Sequence, residues 1–200
     1  MTNFLNSYAT EADGFRILVE PDPNARSPRE SGFRNLGHIR IPPDKRFGRL
    51  TSDDVADRTS LGSMVCRYGT DKDAIALPLY AIYTGDETSG YFQIHRSPFF
   101  ADRQGAQVGY IAATHSEVLG YFNRPSMSEE LYRASVDRMT DEIMLMNTYL
   151  CGEVYRYQVM DAEDEVVAQG SSIYESEMAV DEAMEAVERL KASTVPGMLM

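Results

Sequence analysis

The sequence predicts an α+β fold: an antiparallel sheet of about five to six strands packed against two helices, in one domain over residues 1–200. Three observations predict it. Apolar residues run in short blocks through the first two thirds of the chain, bounded by Gly, Pro and Asp turns. Two later stretches place apolar residues every three or four positions. Strands follow one another through short connections, without the strand–helix alternation of a doubly wound sheet, so the pairing is antiparallel.

Taken in order, Phe15–Glu20 reads as a strand ended by Pro21-Asp22-Pro23-Asn24, and Leu36–Ile41 as a second closed by Pro42-Pro43. The text to about Asp73 is polar and turn-rich, a long connection with one short helix near Ser52–Arg58 capped by Thr51 or Ser52. Ala74–Tyr83, Tyr91–Arg96 and Gln107–Thr114 form a meander, with Gly85–Gly90 and Ser97-Pro98 as breaks. Gly109 inside the third strand marks a bulge or a close backbone approach.

Ser126-Met127-Ser128-Glu129 has capping-box spacing, with Ser126 as the cap. Leu131, Ser135, Met139, Ile143, Met146 and Leu150 then lay one stripe along a helix that Gly152 terminates. Glu153–Met160 and Val166–Tyr174 make a hairpin about Asp161–Glu165. Ser176 opens a last helix with the apolar line Val180, Met184, Val187 and Leu190, before a frayed tail at 194–200. Residues 13–125 are thus mainly strands and loops, and 126–193 an acidic helix–hairpin–helix.

Charge is distributed unevenly. Residues 1–73 carry 11 basic and 11 acidic side chains, residues 74–125 carry 3 and 4, and residues 126–200 carry 5 and 16, which places −11 of the net −12 in the last 75 positions. A wide nucleic-acid footprint needs a positive balance, so direct nucleic-acid binding is not expected. No apolar run is long enough to span a bilayer and no leader is visible, which points to the cytoplasm. Cys66 and Cys151 lie 85 positions apart without ligand spacing, so buried reduced thiols are expected and no metal site. His38, His95 and His115 sit singly on or beside strands, and phosphate-loop, dinucleotide and nucleophile-elbow motifs are missing, so no catalytic set and no cofactor are expected. Arg29-Glu30 reads as a local ion pair, with phosphate gripping by Arg29 as the alternative. Tyr80, Tyr83, Tyr91 and Tyr110 read as packed core.

Ala25-Arg26-Ser27-Pro28-Arg29-Glu30, Asn35-Leu36-Gly37, Leu77-Pro78-Leu79-Tyr80, Ser97-Pro98-Phe99, Gln107-Val108-Gly109-Tyr110-Ile111 and Tyr149-Leu150-Cys151-Gly152-Glu153-Val154-Tyr155 occur in that order. Together, over roughly residues 15–175, they resemble a family of small uncharacterised accessory proteins of bacteriophages, prophages and conjugative plasmids. The loop after Ser-Pro-Phe departs from the family pattern: Ala101, Arg103 and Gln104 stand where the family has Cys, Trp and Asp, and the His that follows Leu-Pro-Leu-Tyr there is missing. A thiol or carboxylate chemistry of that loop would be lost here.

The resemblance implies a mobile-element protein of a bacterial host cell. With the acidic segment, it leads to a non-catalytic, counter-defence reading of the anti-CRISPR or antirestriction type. In that reading Glu130, Asp137, Asp141, Glu163, Asp164, Glu165, Glu177, Asp181, Glu182, Glu185 and Glu188 present a nucleic-acid-mimicking face to a host protein, a nucleic-acid-binding defence complex. Five charges between Glu177 and Glu188 fall about every 4 Å at a rise of ~1.5 Å per residue, against roughly 3.4 Å per charge along a DNA strand. The solvated face of an amphipathic helix has the same composition. The alternative is an enzyme or small-ligand binder with a pocket near residues 97–109, using Arg29, His95, Ser97, Arg103, Gln107 and His115. A virion or assembly component is the third reading.

Overall fold

The computed structural model describes residues 8–30, 33–41, 73–83, 90–94 and 106–194. Strands β1 (Tyr8–Ala12), β2 (Phe15–Pro21), β3 (His38–Arg40), β4 (Ala74–Tyr83), β5 (Gly90–Ile94) and β6 (Ala106–Thr114) are followed by helices α1 (His115–Phe122) and α2 (Glu129–Leu150), strands β7 (Tyr155–Met160) and β8 (Val166–Ile173), and helix α3 (Ser176–Thr194). The α+β class holds. The single sheet of five to six strands does not, because the described strands form two four-stranded antiparallel sheets, β1-β2-β7-β8 and β3-β6-β4-β5. Each sheet belongs to one of two compact units, residues 1–26 with 152–200 and residues 27–151. The expected helix near Ser52–Arg58, residues 85–89 of the expected turn before Gly90 and the tail beyond Thr194 lie outside the described residues.

The unit built from both chain ends starts with a tight hairpin. Asp13 (φ 52°) and Gly14 (φ 85°) both take positive φ, the requirement of a two-residue turn whose twist matches the strands it joins. β1, which the sequence reading missed, pairs there from Tyr8↔Val19 to Ala12↔Phe15. β2 pairs with β7 from Arg16↔Met160 to Pro21↔Tyr155, so strands more than 130 positions apart become the centre of the sheet.

Ile17, Val19, Tyr157, Val159 and Ile173 turn one face to α3. That helix meets them with Ala179, Ala183, Ala186 and Val187, all buried, while Met184 is 38% exposed, which corrects the predicted line. Small side chains let helix and sheet approach closely, and the bulky apolar residue is left at the margin. The Tyr157 ring lies across β8, where a Cβ on Gly170 would fall 2.3 Å from its Cε1. On the opposite face Arg156 bonds Glu20 at 2.6 Å across its own register pair, beside Leu18 and the buried Met160.

In the second unit, Ile39, Ile75, Leu77, Leu79, Ile111 and Ala113 from the sheet pack on Leu131, Met139, Ile143 and Met146 of α2 and on Val118 of α1. The predicted α2 stripe is therefore the buried one, with Glu142 added to it. Its cap is Ser128, whose hydroxyl accepts from the Leu131 amide at 3.1 Å, in place of Ser126. Both serines precede an acid, and the register that sends Leu131 into the core selects the later one. Gly152 (φ 73°) follows the helix as expected, and Cys151 at the C-cap is exposed where burial was expected, because the buried stripe ends at Met146.

Gly109 is both bulge and close approach. The β4–β6 register slips beside it, and a Cβ there would fall 2.0 Å from the Arg40 carbonyl oxygen. Helix α1 was missed in sequence. Its signature is the capping box Thr114-x-x-Glu117, in which the Thr114 hydroxyl accepts from the Glu117 amide at 3.2 Å and the Glu117 carboxylate accepts from the Thr114 amide at 2.7 Å.

Candidate functional site: an anionic face

The two units differ sharply in charge. The unit of residues 1–26 and 152–200 holds 15 acidic and 5 basic residues, net −10, whereas residues 27–151 hold 16 and 14, net −2. Of the −11 that sequence alone traces to the last 75 positions, −8 belongs to the unit that holds residues 152–200 and −3 to helix α2 in the other unit.

Of the predicted acids, Glu163, Asp164 and Glu165 sit in the β7–β8 turn, and Glu177, Asp181, Glu182, Glu185 and Glu188 on α3; all eight are exposed. Glu130, Asp137 and Asp141 are exposed on α2 in the other unit. On α3, Glu177, Asp181, Glu185 and Glu188 follow steps of 4, 4 and 3, one stripe opposite the buried Ala179, Ala183 and Ala186.

The β1–β2 turn connects the β7–β8 turn to the end of that helix. Lys191 Nζ bonds Asp13 of the β1–β2 turn at 2.7 Å, and Arg16, just past that turn, bonds Asp164 at 2.8 Å. Both turns and the last turn of α3 therefore gather at one end of the unit.

The basic residues of this unit are largely committed. Arg16 is held by Asp164, Arg156 by Glu20, Arg189 lies 3.9 Å from Glu185, and Lys191 bonds Asp13 and Glu188. The hydrogen bonds from Lys191 to Asp13 and then to Glu188 hold its ammonium above the ordinary lysine range. Among the described residues no basic side chain pairs with Glu163, Glu165, Glu177, Asp181 or Glu182, so their field reaches solvent uncancelled.

The turn is rigidly built. Asp161 Oδ1 accepts from the Glu163 and Glu165 amides at 3.0 and 2.9 Å, and Asp164 takes a positive φ of 64°.

The residues of the alternative pocket are placed differently. His95, Ser97 and Arg103 lie outside the described residues. Arg29 pairs with Glu142 at 3.0 Å and donates to the Gly37 carbonyl; Glu30 instead accepts from the Ser27 amide at 3.3 Å, which corrects the local Arg29–Glu30 pair.

Glu142 is the residue sequence reasoning missed, although a carboxylate inside an apolar stripe is itself a signal. Its Oε1 accepts from the Leu36 amide at 2.5 Å and its Oε2 from the Gly37 amide at 3.1 Å. Arg138 Nε lies 3.2 Å from Oε1, in ion-pair range but off the line of a hydrogen bond. His115 opens α1, its amide bonded to the Asp73 carbonyl at 2.7 Å, and Gln107 is half-buried on β6, its Nε2 without a hydrogen-bond partner among the described residues.

The described clefts of this unit are lined by other residues, such as the one of about 480 Å³ between Ala76–Pro78 and Tyr132, Val136 and Asp137. His38 Nε2 lies 2.9 Å from Glu117. Tyr80 is buried, and burial first and Tyr110 second push its hydroxyl above the ordinary tyrosine range. Among the described residues no group of three or more His, Cys, Asp or Glu is arranged to hold a metal ion, and no helix is long and apolar enough to cross a membrane.

Comparison with protein-family models, with curated proteins and with solved structures returns no match.

Proposed function

We propose that this protein acts without catalysis, as an anionic ligand for a basic, nucleic-acid-binding protein, with the stripe on α3 and the β7–β8 turn standing in for a phosphate track. One observation carries the reading: net −10 is concentrated in one 75-residue unit whose outward acids largely lack cationic partners among the described residues. An amphipathic helix needs a solvated face, but it does not need five acids against two bases there, with Glu177, Asp181 and Glu182 unmatched by a cation among the described residues, since mixed i,i+4 pairs stabilise a helix better than like charges.

The sequence resemblance to accessory proteins of phages, prophages and plasmids supplies the biological setting. The target class is a host defence complex of the CRISPR or restriction type, which must hold nucleic acid in a basic channel. Glu130, Asp137 and Asp141 on the other unit are additional contacts in this reading.

The test uses the immobilised protein and an extract of its host, with bound proteins identified by mass spectrometry. Nucleic-acid-binding proteins that elute with competing duplex DNA and with rising salt, and that Asp181→Lys/Glu185→Lys no longer retains, bear the proposal out. Capture that ignores salt, DNA and both substitutions sinks it.

A further inference from the structure

We infer that the outer edge of β8 is a docking strand, which takes an extended segment of a basic partner protein by β-strand addition. This inference deepens the anionic-ligand reading and rests on it. β8 is the last strand of its sheet; its pairing with β7 slips at both ends, the Ser172 amide donates to Asp22 Oδ2 at 2.8 Å, and over the regular stretch Ala168–Gly170 the outward backbone groups have no strand beyond them among the described residues. Natural sheets protect such edges with charge, proline, brevity or β-bulges.

Other edges in this chain follow that rule. β3 has three residues, two of them His38 and Arg40, β1 carries Glu11, and β5 has only five residues and packs against α2. β8 has eight residues, Val-Val-Ala-Gln-Gly-Ser-Ser-Ile, without a charge or a proline, in a unit of net −10; two register slips against β7 bend it and leave Ala168–Gly170 regular. Val166 and Val167 at its start are 47% and 37% exposed, and Gln169 and Ser171 are exposed after them.

Charge decides the occupant. Asp161, Glu163, Asp164 and Glu165 precede the strand, and Glu175 and Glu177 follow it. An antiparallel pair with a second copy would bring the acids before one strand against those after the other, a like-charge juxtaposition. An uncharged segment flanked by Lys or Arg meets attraction at both ends, while main-chain bonds to β8 supply the affinity.

The probe is a fluorescein-labelled synthetic peptide with a Thr-Val-Thr-Val core and two lysines at each end, read by fluorescence anisotropy. The Lys-flanked peptide should bind and a Glu-flanked analogue should not. Amide hydrogen exchange on the wild-type protein should slow at alternate positions of β8 when the peptide is added, a readout that needs no variant. Val167→Lys/Gln169→Lys should weaken binding about tenfold, because lysines on an exposed edge block pairing. That loss should exceed the loss from Asp181→Lys/Glu185→Lys, although the latter changes the charge by more.

If the peptide binds with β8 exchange unchanged and Val167→Lys/Gln169→Lys binds as tightly as wild type, the docking strand is overturned and the anionic reading stands. Equal binding of the Glu-flanked peptide overturns both. No binding of either peptide overturns the docking strand alone. A dimer in sedimentation equilibrium that Val167→Lys/Gln169→Lys abolishes shows that a second copy fills the edge, and overturns it too.

Discussion

Glu142 and Arg29, 113 positions apart, form an ion pair of 3.0 Å whose side chains are 2% and 8% exposed. The same carboxylate accepts the amides of Leu36 and Gly37, so one acid on α2 satisfies the donors of the segment that leads into β3. A buried charge is tolerated only when paired and hydrogen-bonded, and here both conditions are met.

Glu142→Ala removes the carboxylate from Arg29, Arg138 and two amides and leaves Arg29 with the Gly37 carbonyl alone. The expected loss is about 3–5 kcal/mol of stability, measured by urea denaturation. The paired apolar replacement Arg29→Met/Glu142→Leu should recover part of it, and a double variant no more stable than Glu142→Ala would show that the amide contacts dominate.

Gly109→Ala places a methyl group 2.0 Å from the Arg40 carbonyl oxygen, a backbone atom that cannot rotate away. β3 must shift or detach from β6, at a cost of about 1–3 kcal/mol or more. Thermal melts of the variant against Gly120→Ala, a position open to a Cβ, isolate the steric effect.

Acidification should release α1 early. Partial burial works against the Glu117 carboxylate, but bonds from the Thr114 amide and hydroxyl and the charge of His38 outweigh it, and its pKa lies below the ordinary value. A depressed folded value means that this stabilisation is present above the unfolded pKa of about 4.3 and is lost as pH falls through the lower, folded one. Hydrogen exchange of the α1 amides should accelerate in that window, and Glu117→Gln should exchange fast on both sides of it.

Asp181→Lys/Glu185→Lys should leave the melting temperature close to wild type, because both side chains are exposed and the Glu185–Arg189 pair is long at 3.9 Å. A large drop would assign the acids of α3 to the stability of the helix instead of to a partner, and would weaken the proposed function.

The anionic character of the chain, the α+β class, the two long helices and most strands were legible in its residues, because each depends on local periodicity, turn chemistry or plain counting. Gly152 ends α2 and Gly109 marks an irregular strand for reasons that a few neighbouring residues contain. Pairing was not legible. β2 finds β7, not the meander that follows it, and Arg29 finds Glu142, not Glu30, because hydrogen-bond registers and buried charges are satisfied by whatever the fold brings near.

The same holds for the candidate surface: composition placed the charge in the last 75 residues, but only the tertiary structure assigned α3 and its turn to one unit and α2 to another. It also left β8 at an edge, which no property of an eight-residue uncharged strand reveals until its neighbours are known.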